Sequence, residues 1–556
     1  MSQIGADILV DALEREGVEY IFGIPGAVLL PIFDRLASSK VRFILTRHEQ
    51  GAGHAADGYA RASGKVGVCI ATSGPGATNL VTAIATANFD SIPMVAFTGQ
   101  VKTPLIGNDA FQEADMTGIT RSITKHNFLV KNVCELAGTI KAAFHLARTG
   151  RPGPVLVDLP MDVSMAEYDC EYPARPNLPG YKLNGRGNSR QIKMAADAIN
   201  SSKRPVLYAG GGVISSDAAA EVYELAVKGG IPVTTTLMGL GAFPETHELS
   251  LKMLGMHGTA YANYAIMESD LIIAVGARFD DRITGRLDAF APEARVIHID
   301  IDPTSISKNI RVDVPVVGDA KGILQAMIPQ VAEADRPEWL ARVAEWKQRH
   351  PLAYKQEGLR PQYVVEQIYE ATGGKAVITT EVGQNQMWAA QFYKYTQPRQ
   401  FISSGGLGTM GYGFPAAIGA QMARPGEVVF DIAGDGSFQM NIQELATAVG
   451  YELPVNVAIL NNGHLGMVRQ WQELFYGRRY SGSILEDANP DFVGVAEAYG
   501  AEGLRVTNPG DVRPAIEQAI ASPKPYVLDF VVEPEENVFP MVPAGSAINK
   551  MIGGMA

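Results

Sequence analysis

The sequence predicts an α/β protein made of three doubly wound parallel-sheet domains. Three observations carry that prediction. Short apolar runs alternate with helical patterns along nearly the whole chain, as strand–helix–strand units require. The 556 residues suffice for about three or four domains of ordinary size. Several apolar runs end in glycine-rich turns carrying an acid or an amide, and parallel sheets gather their ligands at such strand ends.

The first block, 1–165, opens on a helical pattern over 6–16 and continues through strands over 41–45, 66–71, 94–99 and 155–158. A stretch rich in Pro, Gly and Asn, 166–188, reads as a linker. The second block, 189–335, has strands over 205–209, 271–275 and 296–301. A charged helical connector, 336–360, leads to the third block, 361–556. The first and third blocks alternate so similarly that they are candidate copies of one fold.

Bulk composition narrows the partners. An apolar fraction of 46% and a charged fraction of 19% are those of an ordinary globular protein. A net charge of -12 argues against nucleic acid and anionic membrane. It leaves phosphate sites open, because helix N-termini bind anions through backbone N–H groups. Cys69, Cys134 and Cys170 are too few and scattered for a disulfide framework or a zinc site, which suits a reducing, cytoplasmic setting. The chain enters its first helical pattern with no basic-plus-apolar leader, and no apolar run approaches the ~18 residues of a membrane span.

In the third block, the run 427–433 ends in Gly434-Asp435-Gly436-Ser437. A helical pattern over 442–448 leads to a second run, 455–460, which ends in Asn461-Asn462. Asp435 and Asn462 therefore meet at one sheet edge as hard oxygen ligands, suited to Mg²⁺ holding a diphosphate. The glycines let the backbone approach phosphate. In the first block, Thr46-Arg47-His48-Glu49-Gln50 ends a strand and opens a helix, and Thr72–Asn79 is a small-residue turn. In the middle block, Ala209-Gly210-Gly211-Gly212-Val213 is too irregular for a dinucleotide fingerprint and reads as a strand-to-helix turn. The segment Gly276-Ala277-Arg278-Phe279-Asp280-Asp281-Arg282 gathers charges at a strand end, which is costly unless they pair or meet a ligand. On composition alone, Met410 is a core methionine, and Met467 with Trp471 a core-facing pair one helical turn apart.

The Asp435–Asn462 spacing resembles the diphosphate motif of thiamine diphosphate enzymes. With Arg47-His48-Glu49-Gln50, Ser73–Asn79, Asp109-Ala110-Phe111-Gln112-Glu113 and Thr124-Lys125-His126, the chain resembles the acetohydroxyacid (acetolactate) synthases. The likeness is to the catalytic subunit of their anabolic, FAD-containing branch, and it reaches 537–543. It implies a pyrimidine-binding first domain, a central FAD domain and a diphosphate/Mg²⁺ domain, with thiamine diphosphate, Mg²⁺ and FAD as cofactors. Glu49 is then the carboxyl that favours the imino tautomer of the pyrimidine. Gln112, Lys125 and Arg278 would lie near the reacting centre.

The same resemblance assigns thiamine diphosphate to Pro25, Val382, Gln384, Asn385, Gly408, Met410, Gly436, Ser437, Asn462 and Met467. Asn385 stands where the family usually has His and would donate to phosphate. Mg²⁺ falls to Asp435, Asn462 and the backbone carbonyl of His464. FAD falls to Gly211, Gly212, Thr236, Leu237, Leu254, Met256, His257, Gly276, Arg278, Asp280, Arg282, Asp300, Ile301 and Asp319. Ala27, Val28, Phe111, Met467 and Trp471 would line the substrate pocket, with Trp471 favouring 2-ketobutyrate over pyruvate as second substrate. Pro25-Gly26-Ala27-Val28 departs from the usual Pro-Gly-Gly-Ala and implies a narrower pocket. The family further implies a homodimer or homotetramer with sites shared between chains, and a possible small regulatory subunit. A 2-ketoacid decarboxylase, a pyruvate oxidase, another carboligase and a non-catalytic flavin-binding protein stay open on the sequence. Glyoxylate carboligases usually lack the glutamate found at Glu49.

Overall fold

The computed structural model describes residues 3–183, 185–485 and 487–553. Each of three six-stranded sheets is parallel throughout. The first sheet holds Tyr20–Gly23, Arg42–Leu45, Gly67–Ala71, Met94–Gln100, His126–Leu129 and Pro154–Pro160. The third holds Val377–Thr380, Phe401–Ser403, Val429–Gly434, Asn456–Asn461, Glu502–Val506 and Tyr526–Val531. With strands numbered within each sheet, both run 2-1-3-4-6-5, so the first and third domains share one topology. The middle sheet, from Pro205–Ala209 to Val314–Val317, runs 3-2-1-4-5-6. Every residue of Met94–Gln100, Pro154–Pro160 and Leu271–Val275 is buried, as expected of strands covered by helices on both faces.

The first and third domains meet through equivalent helices. Glu49–Ser63 and Gly413–Ala423 each follow the second strand of their sheet, and each is buried along nearly its whole length. Small residues let their backbones touch. A Cβ on Gly58 would collide with the carbonyl oxygen of Ala416, and one on Gly419 with that of Ala55. Only hydrogen fits at either position.

Three sequence expectations change in detail. The 166–188 stretch is pinned: Glu167–Tyr168 pairs antiparallel with Gln3–Ile4, and Tyr181 bonds back to Thr149. The connector helix, Pro337–Arg349, is no free spacer, because Trp339 and Trp346 are buried against the middle domain and Trp339 Nε1 donates to the Pro205 carbonyl. The helical pattern over 442–448 breaks into a 3-10 segment, Gln439–Glu444, and an α-helix, Leu445–Gly450. Asn441 leaves helical geometry there while its side chain donates to the Gly411 carbonyl. Among the described residues no helix is long and apolar enough to cross a membrane.

Candidate active site

Glu49 is the first residue of its helix, directly after the second strand of the first sheet. His48 caps the helix by accepting the Gln50 N–H on Nδ1. The Glu49 carboxylate is buried and accepts from Asn79 Nδ2 at 3.0 Å. Its other oxygen faces Gly76, where a Cβ would sit 3.2 Å away. Gly76 and Gly26 both back onto Thr72, and Gly74, at φ +61°, backs onto Gln112. One sheet edge thus gathers Pro25, Ala27, Val28, Gln112 and Glu49. Adjoining these residues in sequence, Phe111 is 87% exposed and Leu30 58%.

The third domain builds the complementary half. Asp435 follows the strand Val429–Gly434, and Asn462 follows its neighbour Asn456–Asn461, the two strands pairing Gly434 with Leu460. Asp435 is buried with one neutral donor, Asn489 Nδ2 at 2.7 Å. Burial pushes its carboxyl up to about 6, with the Asn489 bond opposing. Among the described residues no Lys or Arg pairs with this buried carboxylate, which suits a cation site. Asn462 is oriented by both ends of its amide: Nδ2 donates to Gln384 Oε1 and Oδ1 accepts the His464 N–H. The His464 imidazole turns to the Asn462 carbonyl through Nδ1, 2.7 Å away, which leaves the His464 backbone carbonyl as the oxygen it offers. A Cβ at Gly466 would strike Gln384 Oε1, so this amide pair needs glycine there. Ser437 is buried and Gly436 packs under Leu465 and Leu485. Gly408, at φ +73°, lies over Val382, and Met410 is half-buried at the end of the same loop.

In the middle domain, strands 1 and 4 of the 3-2-1-4-5-6 order flank the topological switch point, where such sheets bind ligands. Gly276, at φ +57°, packs backbone to backbone on Gly212, so these glycines join the two strand-end turns. Buried polar atoms around this edge lack protein partners: Thr235 Oγ1, Thr236 Oγ1, Tyr208 OH and His257 Nδ1. That row fits a polar cofactor laid along the edge. Leu237, Leu254 and Met256 follow the second and third strands, while Asp300 ends the fifth and Ile301 follows it. Asp280 and Asp319 also serve as helix N-caps. Arg278 is half-buried after the fourth strand, whereas Arg282 is exposed and brings Nη1 to 3.9 Å from Met256 Sδ.

Two expected site residues have their side-chain donors engaged within the chain. The Lys125 ammonium donates to the carbonyls of Leu146 and Thr149 and to the Tyr181 hydroxyl, fastening the first domain internally. The Asn385 side chain has no N–H left for phosphate, since Nδ2 donates to the carbonyls of Glu381 and Ile432, while its backbone N–H lies in the first turn of the helix Gln384–Phe392. Only its Oδ1 faces the Gly383 and Gly434 backbone.

Comparison with known proteins now bears on this geometry. Residues 4–119 match the N-terminal TPP binding domain of thiamine pyrophosphate enzymes, 192–327 their central domain and 381–530 their C-terminal TPP binding domain. The chain is 52% identical to a probable acetolactate synthase large subunit of Methanocaldococcus jannaschii, covering 99% of this chain and 95% of that one. It is 52% identical to the acetolactate synthase large subunit of Corynebacterium glutamicum, over 98% and 89% of the two chains. It is 49% identical to chloroplastic acetolactate synthase 1 of Nicotiana tabacum, over 99% and 84%. The chain belongs to the acetolactate synthase family.

In this acetolactate synthase family member, the helix Gly466–Phe475 presents two faces. Met467 and Trp471 open onto a cavity of about 690 Å³ that also involves Val468, Gln472, Tyr476, Arg479 and Ser481. On the opposite face Arg469 and Gln470 are fully buried: Gln470 exchanges hydrogen bonds with the Val538 backbone, and Arg469 donates to Glu473, to Asn537 and to the Glu536 carbonyl. The C-terminal segment therefore fixes the wall carrying Met467 and Trp471. Sequence reasoning missed Val468, Gln472, Arg469 and Gln470. Helical spacing from Met467 and Trp471 points to Val468 and Gln472, whereas no local signal marks Arg469 and Gln470.

Proposed function

We propose that the protein decarboxylates pyruvate and joins the remaining two-carbon unit to a second 2-ketoacid. Pyruvate gives 2-acetolactate and 2-ketobutyrate gives 2-aceto-2-hydroxybutyrate, the step that opens branched-chain amino-acid biosynthesis. The carrying observation is the placement of Glu49 on one sheet edge and of Asp435 with Asn462 on another, in a chain half identical to acetolactate synthases. Thiamine diphosphate, when bound, supplies the carbanion chemistry next to the carbonyl.

The chain's own residues do the rest. Asp435, Asn462 and the His464 carbonyl would hold Mg²⁺ and through it the diphosphate, beside Gly436, Ser437, Gln384 and Val382. Glu49 would hold a proton at the pyrimidine ring nitrogen and so favour the reactive tautomer. Met410 would keep the cofactor bent. Met467 and Trp471, with Ala27, Val28 and Phe111 of a second chain, would enclose the ketoacids and exclude water. Arg278 and Gln112 would border the reacting centre, and the row at the middle sheet edge would hold FAD. The flavin would be structural, since the net reaction transfers no electrons.

Glu49 bonds within its own domain, and Leu30 and Phe111 of that domain stand exposed. We infer a homodimer or homotetramer in which Glu49 of one chain completes the metal half-site of another. The printed names of several relatives carry "large subunit", which supports a small regulatory partner. The test is product analysis with pyruvate, Mg²⁺, thiamine diphosphate and FAD, with and without 2-ketobutyrate. Acetolactate is the expected product. Acetaldehyde or acetyl phosphate alone would overturn the proposal.

A further inference from the structure

The shared topology of the first and third domains has a counterpart at their contact. In each domain, the segment after the third strand carries a carboxylate that reaches across to the other domain. In each case it meets the turn between the second strand and the crossing helix. In the first domain that carboxylate is Asp90, last residue of the helix Val81–Asp90. It accepts the N–H groups of Gly405 at 3.0 Å and Gly406 at 2.7 Å, in the loop that leads to Met410. In the third domain it is Glu444, last residue of the 3-10 segment Gln439–Glu444. Glu444 is 0% exposed. It accepts the N–H groups of Arg47 at 3.0 Å and His48 at 2.9 Å, the two residues before Glu49. Thr447 Oγ1 donates to its other oxygen at 2.6 Å. Gly51, one turn into the helix, leaves room for the carboxylate: a Cβ there would lie 2.5 Å from Glu444 Oε1.

The consequence for Glu49 is geometric. A side chain at the first position of a helix goes where the preceding turn sends it. The Arg47 and His48 amides lie outside the helix ladder, and no other acceptor is found for them. Both go to one buried carboxyl, which burial pushes up and these N–H bonds pull down, so they favour its ionised form, the stronger kind of acceptor. We propose that Glu444 is the positioning residue for Glu49, holding the Arg47–His48 turn from the neighbouring domain so that the Glu49 carboxyl meets the pyrimidine in register. The inference rests on the function proposed above. Glu444 itself touches no cofactor and moves no proton of the reaction.

The test uses the full-length protein with Mg²⁺ and thiamine diphosphate and follows two quantities. One is the cofactor dissociation constant. The other is the rate at which bound thiamine diphosphate exchanges its C2 hydrogen for deuterium, read by quenched-flow NMR. Glu444→Gln keeps size and one acceptor oxygen; Glu444→Ala removes both. Losing a hydrogen bond to a charged group predicts that exchange slows by about 10-fold in Glu444→Gln and about 100-fold in Glu444→Ala, with the dissociation constant within about threefold. Glu49→Gln should slow exchange at least as much and set the floor. Wild-type exchange in a folded Glu444→Gln protein overturns the inference. So does cofactor affinity falling in step with exchange, which is the mark of a merely structural role. If Glu444→Ala does not fold, Glu444→Gln decides. Absence of exchange in the wild-type protein would instead defeat the proposed function.

Discussion

The first and third domains have the same strand order, yet they place their charges at different strand ends. After the second strand, the first domain sets a carboxylate at a helix start, Glu49, while the third sets a glycine loop ending in Met410. After the third strand the pattern inverts: a glycine turn, Gly74 to Gly76, in the first domain and Asp435 in the third. Neither domain holds both groups. One fold used twice has yielded two half-sites, and the difference lies in side chains at a few strand ends, not in topology.

The largest expected effect separates the halves. Glu49→Gln should lower turnover by about 10²–10⁴-fold while leaving Mg²⁺-dependent cofactor binding nearly intact, the cost of losing an acid–base partner. Asp435→Ala should abolish that binding, as isothermal titration would read. If both variants lose binding alike, the division between the halves is wrong.

Next comes the contact between the halves. Gly419→Val places methyl groups against the Ala55 carbonyl and should cost at least ~1–3 kcal/mol in urea unfolding. Gly138, in the exposed helix interior of Val133–Arg148 with nothing within 4 Å, is the contrast. Gly138→Ala should stabilise the protein by up to about 1 kcal/mol. Equal responses would show that the crossing is not tight.

Substrate choice sharpens the comparison. If the third domain alone discriminates, Trp471→Leu should shift the acetohydroxybutyrate-to-acetolactate ratio by about 10-fold, the value of one methylene contact. An unchanged ratio would move that role to Ala27, Val28 and Phe111 of the first domain.

The smallest effect concerns acid. The Glu49 helix buries His54 edge-on to Tyr412, and burial lowers its imidazole to about 3. The unfolded chain takes up that proton below about pH 6.5 and the folded chain does not, so stability falls as pH drops from there towards about 3, by at most ~1.4 kcal/mol per unit. His54→Leu should flatten this limb in urea titrations between pH 7 and 5. A limb equally steep in the variant would assign acid sensitivity elsewhere.

Much of this was legible in the sequence because parallel strands advertise themselves twice, by an apolar run and by the polar turn that ends it. Asp435, Asn462 and Glu49 all sit at such turns. What stayed hidden depends on contacts between distant segments. Glu444 lies in Ile442-Gln443-Glu444-Leu445-Ala446-Thr447-Ala448, which reads as helix; its acceptor role appears only when residue 47 arrives. Lys125 and Asn385 carry donors that suit a site, and only the carbonyls around them reveal that those donors are taken. Arg469 and Gln470 look like a solvated helix face until the segment 536–538 covers them.

The clasp between Glu444 and the Arg47–His48 turn joins residues 397 and 396 positions apart. During synthesis at about 5–20 residues per second, the turn emerges roughly 20–80 s before its acceptor exists. Until the helix Gly413–Ala423 is made, the small-residue face of the Glu49 helix lacks the partner it packs on in the folded chain. For most of synthesis the first domain therefore holds its catalytic turn without the carboxylate that fastens it in the finished chain.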